Sequence, residues 1–157
     1  YLRAGALSAR SPAMKSVREF ANQGGPVLGI CNGFQVLVEA HLLPGALVRN
    51  QGLQFIDDWV ELEVATNQSY WGNKLAEGKK IRLPIAHGEG RFYCSEAELK
   101  KIEDQDQVWL KYISNPNGSL HDIAGVLNEK KNVAGLMPHP ERAFQDWMGG
   151  KDGWDFL

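Results

Sequence analysis

The feature that most constrains the fold is the step at residues 29–33 (GICNG), which joins two apolar segments of different periodicity. The segment before it, residues 26–30 (PVLGI), is short and uniformly apolar, which is typical of a parallel strand buried on both faces. The segment after it, residues 33–43, places apolar side chains at mostly helical intervals before Pro44-Gly45. The order strand, tight turn, helix is the building unit of an α/β fold.

A further helix is predicted upstream, where Ser11 can cap the helix and Pro12 can occupy its first position. It should end near Gln23, because Gly24-Gly25 supplies a residue able to take the left-handed conformation. We expect its apolar stripe to face a sheet; the stripe consists of Met14, Val17, Phe20 and Ala21.

Downstream, the pattern becomes rich in strands. Residues 47–55 and 59–65 alternate apolar and polar side chains, which predicts antiparallel strands of a smaller layer. The other predicted elements are strands at 81–86, 107–112, 123–127 and 133–137, a helix at 96–103 and a turn at 115–118. The sequence therefore predicts a three-layer α/β fold with a mixed sheet, helices on both faces and a small antiparallel insertion.

Composition indicates a single soluble domain spanning residues 1–157. The chain has 157 residues, 43% of them hydrophobic, and a net charge of −2, which argues against a general nucleic-acid binder. No apolar run approaches the roughly 20 residues that span a bilayer. Two cysteines are too few for a disulfide scaffold, so we expect a reducing, cytoplasmic setting.

Cys31 stands at the junction of the predicted strand and helix, in the setting of a nucleophile elbow. Glycines at 29 and 33 would let the two backbones approach, and a side chain at either position would clash. The helix N-terminus favours the thiolate, and the N–H of Asn32 is placed to hold an oxyanion on a carbonyl that the sulfur attacks. The alternative is a buried structural cysteine, the interpretation we give Cys94.

A nucleophilic cysteine needs a base, and residues 138–141 (PHPE) offer one. The prolines stiffen the segment, and residues two apart in an extended segment project to the same side. Glu141 can therefore accept from one imidazole nitrogen of His139 while the other nitrogen faces the thiol. The segment follows the predicted strand at 133–137, whose end should open beside the end of the strand before Cys31. A rigid loop without chemistry is the alternative.

Together, GICNGFQ and MPHPER resemble motifs of the class I glutamine amidotransferases, whose Cys-His-Glu triad lies on a strand-elbow-helix and a late loop. Within that class, the chain resembles the family of glutaminase subunits of phosphoribosylformylglycinamidine (FGAM) synthases, which act in purine biosynthesis. The resemblance covers nearly the whole chain and rests on YLRAGALSARSPAM, GGPVLGICNGFQVL, GALVRN, PIAHGEGRFY, NPNGS with IAGV after it, and GLMPHPERA.

The resemblance implies a class I glutamine amidotransferase-like fold, which is flavodoxin-like, with its N-terminal part missing before Tyr1. In the family, the preceding stretch adds strands, helices and a Gly-Gly loop that carries the second oxyanion donor. We therefore expect these residues alone to be catalytically impaired. The resemblance assigns Cys31 as the nucleophile, His139 as the general base and then acid, and Glu141 as the orienting carboxylate.

An enzyme of this family hydrolyses L-glutamine through a cysteine thioester and passes the ammonia to an ATP-dependent partner. The partners implied are a large FGAM synthetase subunit and a small accessory subunit, with neither nucleic acid nor a membrane. No Walker-type glycine loop occurs in the sequence. ATP and Mg²⁺ are therefore expected on the synthetase, and no cofactor or metal is expected in this chain.

Two further features match positions near the substrate in related amidotransferases. Gln35, one helical turn past the nucleophile, would hold the substrate glutamine or serve equally as a buried polar cap. The loop His87-Gly88-Glu89-Gly90 would lie beside the α-groups of glutamine, where N–H groups freed by glycine can bind a carboxylate. The alternative for this loop is a plain turn with a solvated Glu89.

Other functions stay open at this point. The elbow and the histidine segment would also suit a glutaminase subunit of another pathway, or a cysteine peptidase built on the same elbow. A catalytically silent docking subunit that keeps the fold is the alternative outside the enzymes; intact Cys31, His139 and Glu141 count against it.

Overall fold

The computed structural model describes residues 7–156 and has an α/β architecture. The expectation of a missing N-terminal unit rests on the opening residues, and residues 1–6 lie outside the described part. The elements that organise the fold are, in chain order, α1 (Pro12–Asn22), β1 (Val27–Ile30), α2 (Asn32–Glu39), β2 (Ala46–Val48), β3 (Ile56–Val64), β4 (Lys80–His87), β5 (Arg91–Tyr93), α3 (Glu96–Asp104), β6 (Val108–Tyr112), β7 (Ile123–Leu127) and β8 (Val133–Leu136).

The main sheet is mixed, as predicted. It has six strands in the order β1-β8-β7-β6-β3-β4, of which β1 and β8 are parallel and the other pairs are antiparallel. A separate antiparallel pair, β2 with β5, corresponds to the small insertion. The predicted α/β fold is confirmed in these respects.

The placement of the strand at 59–65 in a smaller layer is wrong, because β3 pairs with β4 and β6 inside the main sheet. Alternation reports that one face of a strand is buried and says nothing about which sheet the strand joins. The strand expected at 47–55 is also shorter. It ends at Val48, because the chain turns at 50–54, where the Asn50 side chain donates to the Gln54 carbonyl oxygen and Leu53 has a φ of +55°.

Two apolar clusters, one on each face of the main sheet, give the molecule its layers. The three α-helices named above pack into the first cluster, through residues such as Met14, Leu37 and Ile102. Leu75 and Phe156, from the connection after β3 and from a 3₁₀ helix at Asp152–Phe156, pack into the second. No helix within residues 7–156 is long and apolar enough to cross a membrane.

Two burial expectations near the N-terminal end of the described chain are wrong. Three of the four β1 residues are only half-buried, because β1 is an edge strand of the described sheet with β8 as its neighbour. Phe20 is 51% exposed instead of facing the sheet. Its ring lies over Gly25, where a Cβ would stand 2.4 Å from the ring carbons, so the phenyl group covers the end of its own helix.

The main sheet curls so that its two edges meet. In strand order β1 and β4 lie at opposite ends. Nevertheless, the N–H of His139, just after β8, donates to the Pro84 carbonyl oxygen in β4 at 2.8 Å. Cys31, just after β1, places its Sγ 3.9 Å from the Ala86 carbonyl oxygen in the same strand. The curl brings the ends of β1, β8 and β4 to one place.

Candidate active site

Cys31 occupies the predicted elbow and adopts a backbone conformation unusual for a residue with a side chain. It is the residue that caps α2, with φ +51° and ψ −103°. Such a conformation costs on the order of 1–3 kcal/mol and persists where the surroundings hold it. Here the Cys31 N–H donates to the Leu136 carbonyl oxygen at 2.9 Å, and its own carbonyl oxygen accepts from the Gln35 N–H at 3.2 Å. The strained turn is thus tied both to β8 and to α2.

The glycines on either side of the elbow are not equivalent. A Cβ at Gly29 would stand 2.8 Å from the backbone of Gly33 and 2.5 Å from Leu37 Cδ1, so the predicted close approach of strand and helix is confirmed there. A Cβ at Gly33 would meet nothing within 4 Å, so the clash expected at that position is wrong. Only one of the two glycines is needed for packing.

We expect Gly29→Ala to lower the free energy of unfolding by about 1–3 kcal/mol, because the methyl group would be forced against a fixed backbone. Thermal unfolding followed by circular dichroism measures the change. Gly33→Ala is the matched control, with a small gain expected because alanine is the better helix former. An equal loss in both variants would show that close approach is not what Gly29 provides.

The thiol of Cys31 is neutral in its resting environment. Burial raises its pKa, and the hydrogen bond from the backbone of Asn32 and the positive charge of Arg142 lower it by less. The start of the helix does lower the pKa of Cys31, as expected, through the backbone of Asn32. The expected thiolate is nevertheless wrong, because burial raises the pKa by more. A neutral thiol attacks a carbonyl only when a base accepts its proton during the attack.

His139 and Glu141 form the predicted pair. The His139 Nδ1 atom lies 2.6 Å from Glu141 Oε1, and the imidazole is 6% exposed. Because a carboxylate only accepts, Nδ1 carries a proton, and in the neutral imidazole Nε2 is then the nitrogen with the lone pair. Nε2 is buried and has no hydrogen-bond partner within the described part of the chain. Glu141 thus orients the imidazole of His139, and Nε2 is left able to accept a proton or a hydrogen bond.

A cavity of about 700 Å³ gathers the predicted site residues. This volume is in the range of small-molecule sites. The residues that line it are Ile30, Cys31, Asn32, Gln35, Arg49, Phe55, Ala86, His87, Gly88, Glu89, Met137, His139 and Arg142. Glu141 is absent from the lining and contacts the cavity through His139. A separate cavity of about 450 Å³, beside the ends of α1 and α2, is lined by none of the predicted site residues.

Three side-chain amides hold the loop at 87–90 by its carbonyl oxygens. Gln35 Nε2 donates to the carbonyl oxygen of Glu89 at 2.9 Å, and Asn117 Nδ2 donates to that of Gly90 at 3.0 Å. Asn50 donates to the other two carbonyl oxygens, from Nδ2 to His87 at 2.8 Å and from its backbone N–H to Gly88 at 3.0 Å. The loop is therefore a fixed wall of the cavity and not a plain turn.

Sequence reasoning missed several of these residues. The sequence predicts Asn117 only as part of a turn, and it does not reveal the role of Asn50, whose partners in the loop lie 37 and 40 residues away. Arg142 could have been found, because it directly follows Glu141, and its Nε lies 3.6 Å from Glu141 Oε1. Its positive charge also bears on Cys31, as described above.

His87 is buried at 4% exposure and is neutral. Burial lowers its pKa to about 4, and the charge of His139 acts in the same direction. Its Nδ1 lies 3.1 Å from Asn50 Oδ1. Its Nε2 is buried and, like that of His139, has no hydrogen-bond partner among residues 7–156. Two buried imidazoles, each with an Nε2 that lacks a partner among the described residues, therefore line one cavity.

The second cysteine and the other histidines lie outside this cavity. Cys94 is buried among apolar side chains, and burial raises its pKa to about 11, which agrees with a structural cysteine. His121 pairs with Glu103 at 2.8 Å on the surface. Within the described residues, no group of three or more His, Cys, Asp or Glu side chains is arranged to hold a metal ion.

Comparison with known proteins adds independent evidence. The family model of the CobB/CobQ-like glutamine amidotransferase domain matches residues 2–152. The phosphoribosylformylglycinamidine synthase subunit PurQ of Prochlorococcus marinus is 55% identical over 153 residues, which are 98% of this chain and 70% of that protein. A chain in the structure of PurLQS from Thermotoga maritima has a TM-score of 0.90 at 45% identity, covering 99% of this chain and 70% of that one. A glutamine amidotransferase from Thermotoga maritima, with a TM-score of 0.58 and 18% identity, shares the fold over 91% of this chain and 54% of its own.

Proposed function

The chain belongs to the family of CobB/CobQ-like glutamine amidotransferase domains, and on that basis we propose that it is the glutaminase subunit of an FGAM synthase. It is an enzyme that releases ammonia from L-glutamine for purine biosynthesis. The observation that carries the chemical part of this proposal is the His139 imidazole. Its Nδ1 is held by Glu141 at 2.6 Å, its Nε2 has no partner among the described residues, and the residue lines the cavity that contains Cys31.

The first half of the reaction forms a thioester. Cys31 Sγ attacks the carbon of the glutamine carboxamide while its proton passes to His139 Nε2, and the carbonyl electron pair moves onto oxygen. The N–H of Asn32, at the start of α2, stabilises that oxyanion. The adduct collapses with cleavage of the C–N bond, and His139 returns the proton to the departing nitrogen. Ammonia leaves, and a γ-glutamyl thioester on Cys31 remains.

The second half regenerates the thiol. Water takes the place of ammonia, and His139 Nε2 accepts one of its protons as the oxygen attacks the thioester carbon. The C–S bond breaks, the sulfur recovers its proton from His139, and glutamate leaves. Glu141 accepts from His139 Nδ1 and stabilises the imidazolium in both halves. The raised pKa of the Cys31 thiol supports this order, because the base is needed at the moment of attack.

Gln35, Gly88 and Glu89 are the residues that we propose to bind the rest of the substrate. Gln35 lines the cavity and also fixes the loop through the Glu89 carbonyl oxygen, so the two interpretations of this residue are compatible. The Glu89 carboxylate pairs with Arg49 at 3.6 Å at the cavity rim, and both charges are available to the zwitterionic α-groups of glutamine.

The ammonia would pass to a large synthetase subunit, assembled with a small accessory subunit. The name of the PurLQS structure, which contains a chain similar to this one at 45% identity, supports such an assembly. ATP and Mg²⁺ would serve on the synthetase, with no cofactor in this chain. We further propose a cytoplasmic location, because Cys31 must stay reduced to act, and both cysteines are free thiols.

A glutamine analogue with a chloroketone in place of the carboxamide tests the proposal on the full-length protein with its partners. We expect one equivalent of label on Cys31 and none on Cys94, with protection by L-glutamine, as measured by mass spectrometry of the intact protein and its peptides. Chloroacetamide, which lacks the amino-acid part, is the control and should react slowly with both neutral thiols. Label on Cys94, or none at all, would favour a silent docking subunit.

A further inference from the structure

Asn50 is a buried residue whose four side-chain hydrogen bonds fix the orientation of its amide. Its Nδ2 donates to the carbonyl oxygens of His87 at 2.8 Å and Gln54 at 2.9 Å, which uses both hydrogens. Its Oδ1 therefore accepts, and one of its donors is the backbone N–H of Gly90 at 3.1 Å. In this orientation of the amide, Asn50 Oδ1 is the atom that contacts the imidazole of His87.

The fixed amide determines the tautomer of His87. Because Asn50 Oδ1 can only accept, His87 Nδ1 at 3.1 Å must be the donor and carry the proton. Nε2 is then the nitrogen with the lone pair. It is buried and has no hydrogen-bond partner among the described residues, and a buried acceptor without a donor is costly.

Two histidines that line the cavity therefore have an Nε2 acceptor without a donor. His139 Nε2 and His87 Nε2 are both buried, both unpartnered in the described chain and both on residues lining the cavity. Cys31 Sγ lies 3.9 Å from the carbonyl oxygen of Ala86, the residue before His87, so both histidines line the part of the cavity that contains Cys31. A carboxamide bound against Cys31 would bring its NH₂ group to this part of the cavity and supply the donor that His87 Nε2 lacks.

We propose that Asn50 is a positioning residue that holds His87 in the Nδ1–H tautomer, so that His87 Nε2 accepts an N–H of the glutamine carboxamide. The inference rests on the proposed function and deepens it. Nε2 of His139 is engaged with the Cys31 proton during attack, and His87 orients the leaving nitrogen. After cleavage the same acceptor holds the released ammonia by one N–H. His87 has no proton on Nε2 to donate, so ammonia stays uncharged there.

The test compares two substrates of the full-length protein with its partners: L-glutamine and the γ-methyl ester of glutamate. The ester keeps the α-groups and the reacting carbonyl but has no carboxamide N–H. Asn50→Asp puts a carboxylate against Nδ1 and favours the imidazolium, whose Nε2 is protonated and cannot accept. We expect kcat/KM for glutamine to fall roughly tenfold to hundredfold and that for the ester by less than about threefold.

Asn117→Asp is the matched control. It removes the corresponding bond to the loop, from Asn117 Nδ2 to the Gly90 carbonyl oxygen, without touching the His87 ring. Any loss in this variant should be equal for the amide and the ester. Equal losses for both substrates in Asn50→Asp would overturn the proposal, and would mean that Asn50 is structural or that His87 accepts from the α-ammonium group.

A measurement on the wild-type protein covers the case in which Asn50→Asp does not fold. Nitrogen-15 NMR of the histidine side chains distinguishes the two tautomers, and we expect the unprotonated, pyridine-type nitrogen of His87 to be Nε2. A protonated Nε2 in the wild type would contradict the proposal. A wild-type protein that hydrolyses neither substrate would instead overturn the glutaminase function itself, so the two failures are distinguishable.

Discussion

Replacing Cys31 with alanine in the full-length protein, assembled with its synthetase, is expected to abolish amidine synthesis from glutamine and to leave synthesis from added ammonia intact. The loss should be roughly 10⁴-fold or more, because no other thiol and no hydroxyl side chain lines the described cavity. Under the proposed function, the ATP-dependent step lies on the partner and would use ammonia from any source. Product formation with each nitrogen donor, measured in parallel, gives the result directly.

The control for Cys31→Ala is Cys94→Ala, which removes a thiol that is 7% exposed and lies outside the cavity. This variant should keep both activities, apart from the loss of stability that a small core truncation causes. Loss of ammonia-dependent synthesis in Cys31→Ala would mean that the subunit acts through its structure. Retention of glutamine-dependent synthesis would remove Cys31 from the mechanism.

The second large effect is expected at His139. His139→Asn should lower kcat for glutamine hydrolysis by roughly 10²–10⁴-fold, because the neutral thiol of Cys31 then has no oriented base. The residual activity should increase as the pH rises above neutral, since the thiol has a raised pKa and ionises only at higher pH. A pH profile of single-turnover thioester formation measures both the loss and its partial recovery.

Glu141→Gln and His121→Asn complete the His139 experiment. The first variant removes the carboxylate that orients His139, at 2.6 Å, and should give a smaller loss in kcat of the same character. The second removes an exposed histidine paired with Glu103 and should change nothing beyond the experimental error. A profile of His139→Asn that stays flat in pH would contradict a role for His139 in deprotonating Cys31.

The elbow and the His-Glu pair were predictable because their geometry is local. Gly29 and Cys31 are two residues apart at the end of a strand, and His139 and Glu141 are two residues apart in a segment stiffened by proline. Backbone preferences within such short segments decide where the side chains point. The same holds for α3, where Ser95 accepts from the Glu98 N–H as a cap at 3.2 Å.

The features that the sequence could not predict are contacts between residues far apart in the chain, and a pKa on which burial and nearby charges act in opposite directions. The alternation in β3 predicts which of its faces is exposed and which is buried. Its pairing with β4 and β6 is known only from the folded sheet. The partnership of Asn50 with His87 joins residues 37 positions apart. The net pKa of Cys31 is a balance between burial and nearby charges, and burial cannot be read from the neighbouring residues.

The curl of the main sheet has a consequence for the order of folding. The site needs β1, β8 and β4 to meet, although Cys31 and Ala86 are separated by 55 residues and β1 and β4 lie at opposite edges. Contacts of such separation form late, because the intervening chain must first lose its freedom. A partly folded chain with β1 and β8 paired but β4 undocked would keep Cys31 and the His139–Glu141 pair and would lack the part of the cavity wall that residues 86–89 supply. We therefore expect the chain to bind and hydrolyse glutamine only after β4 has joined the sheet.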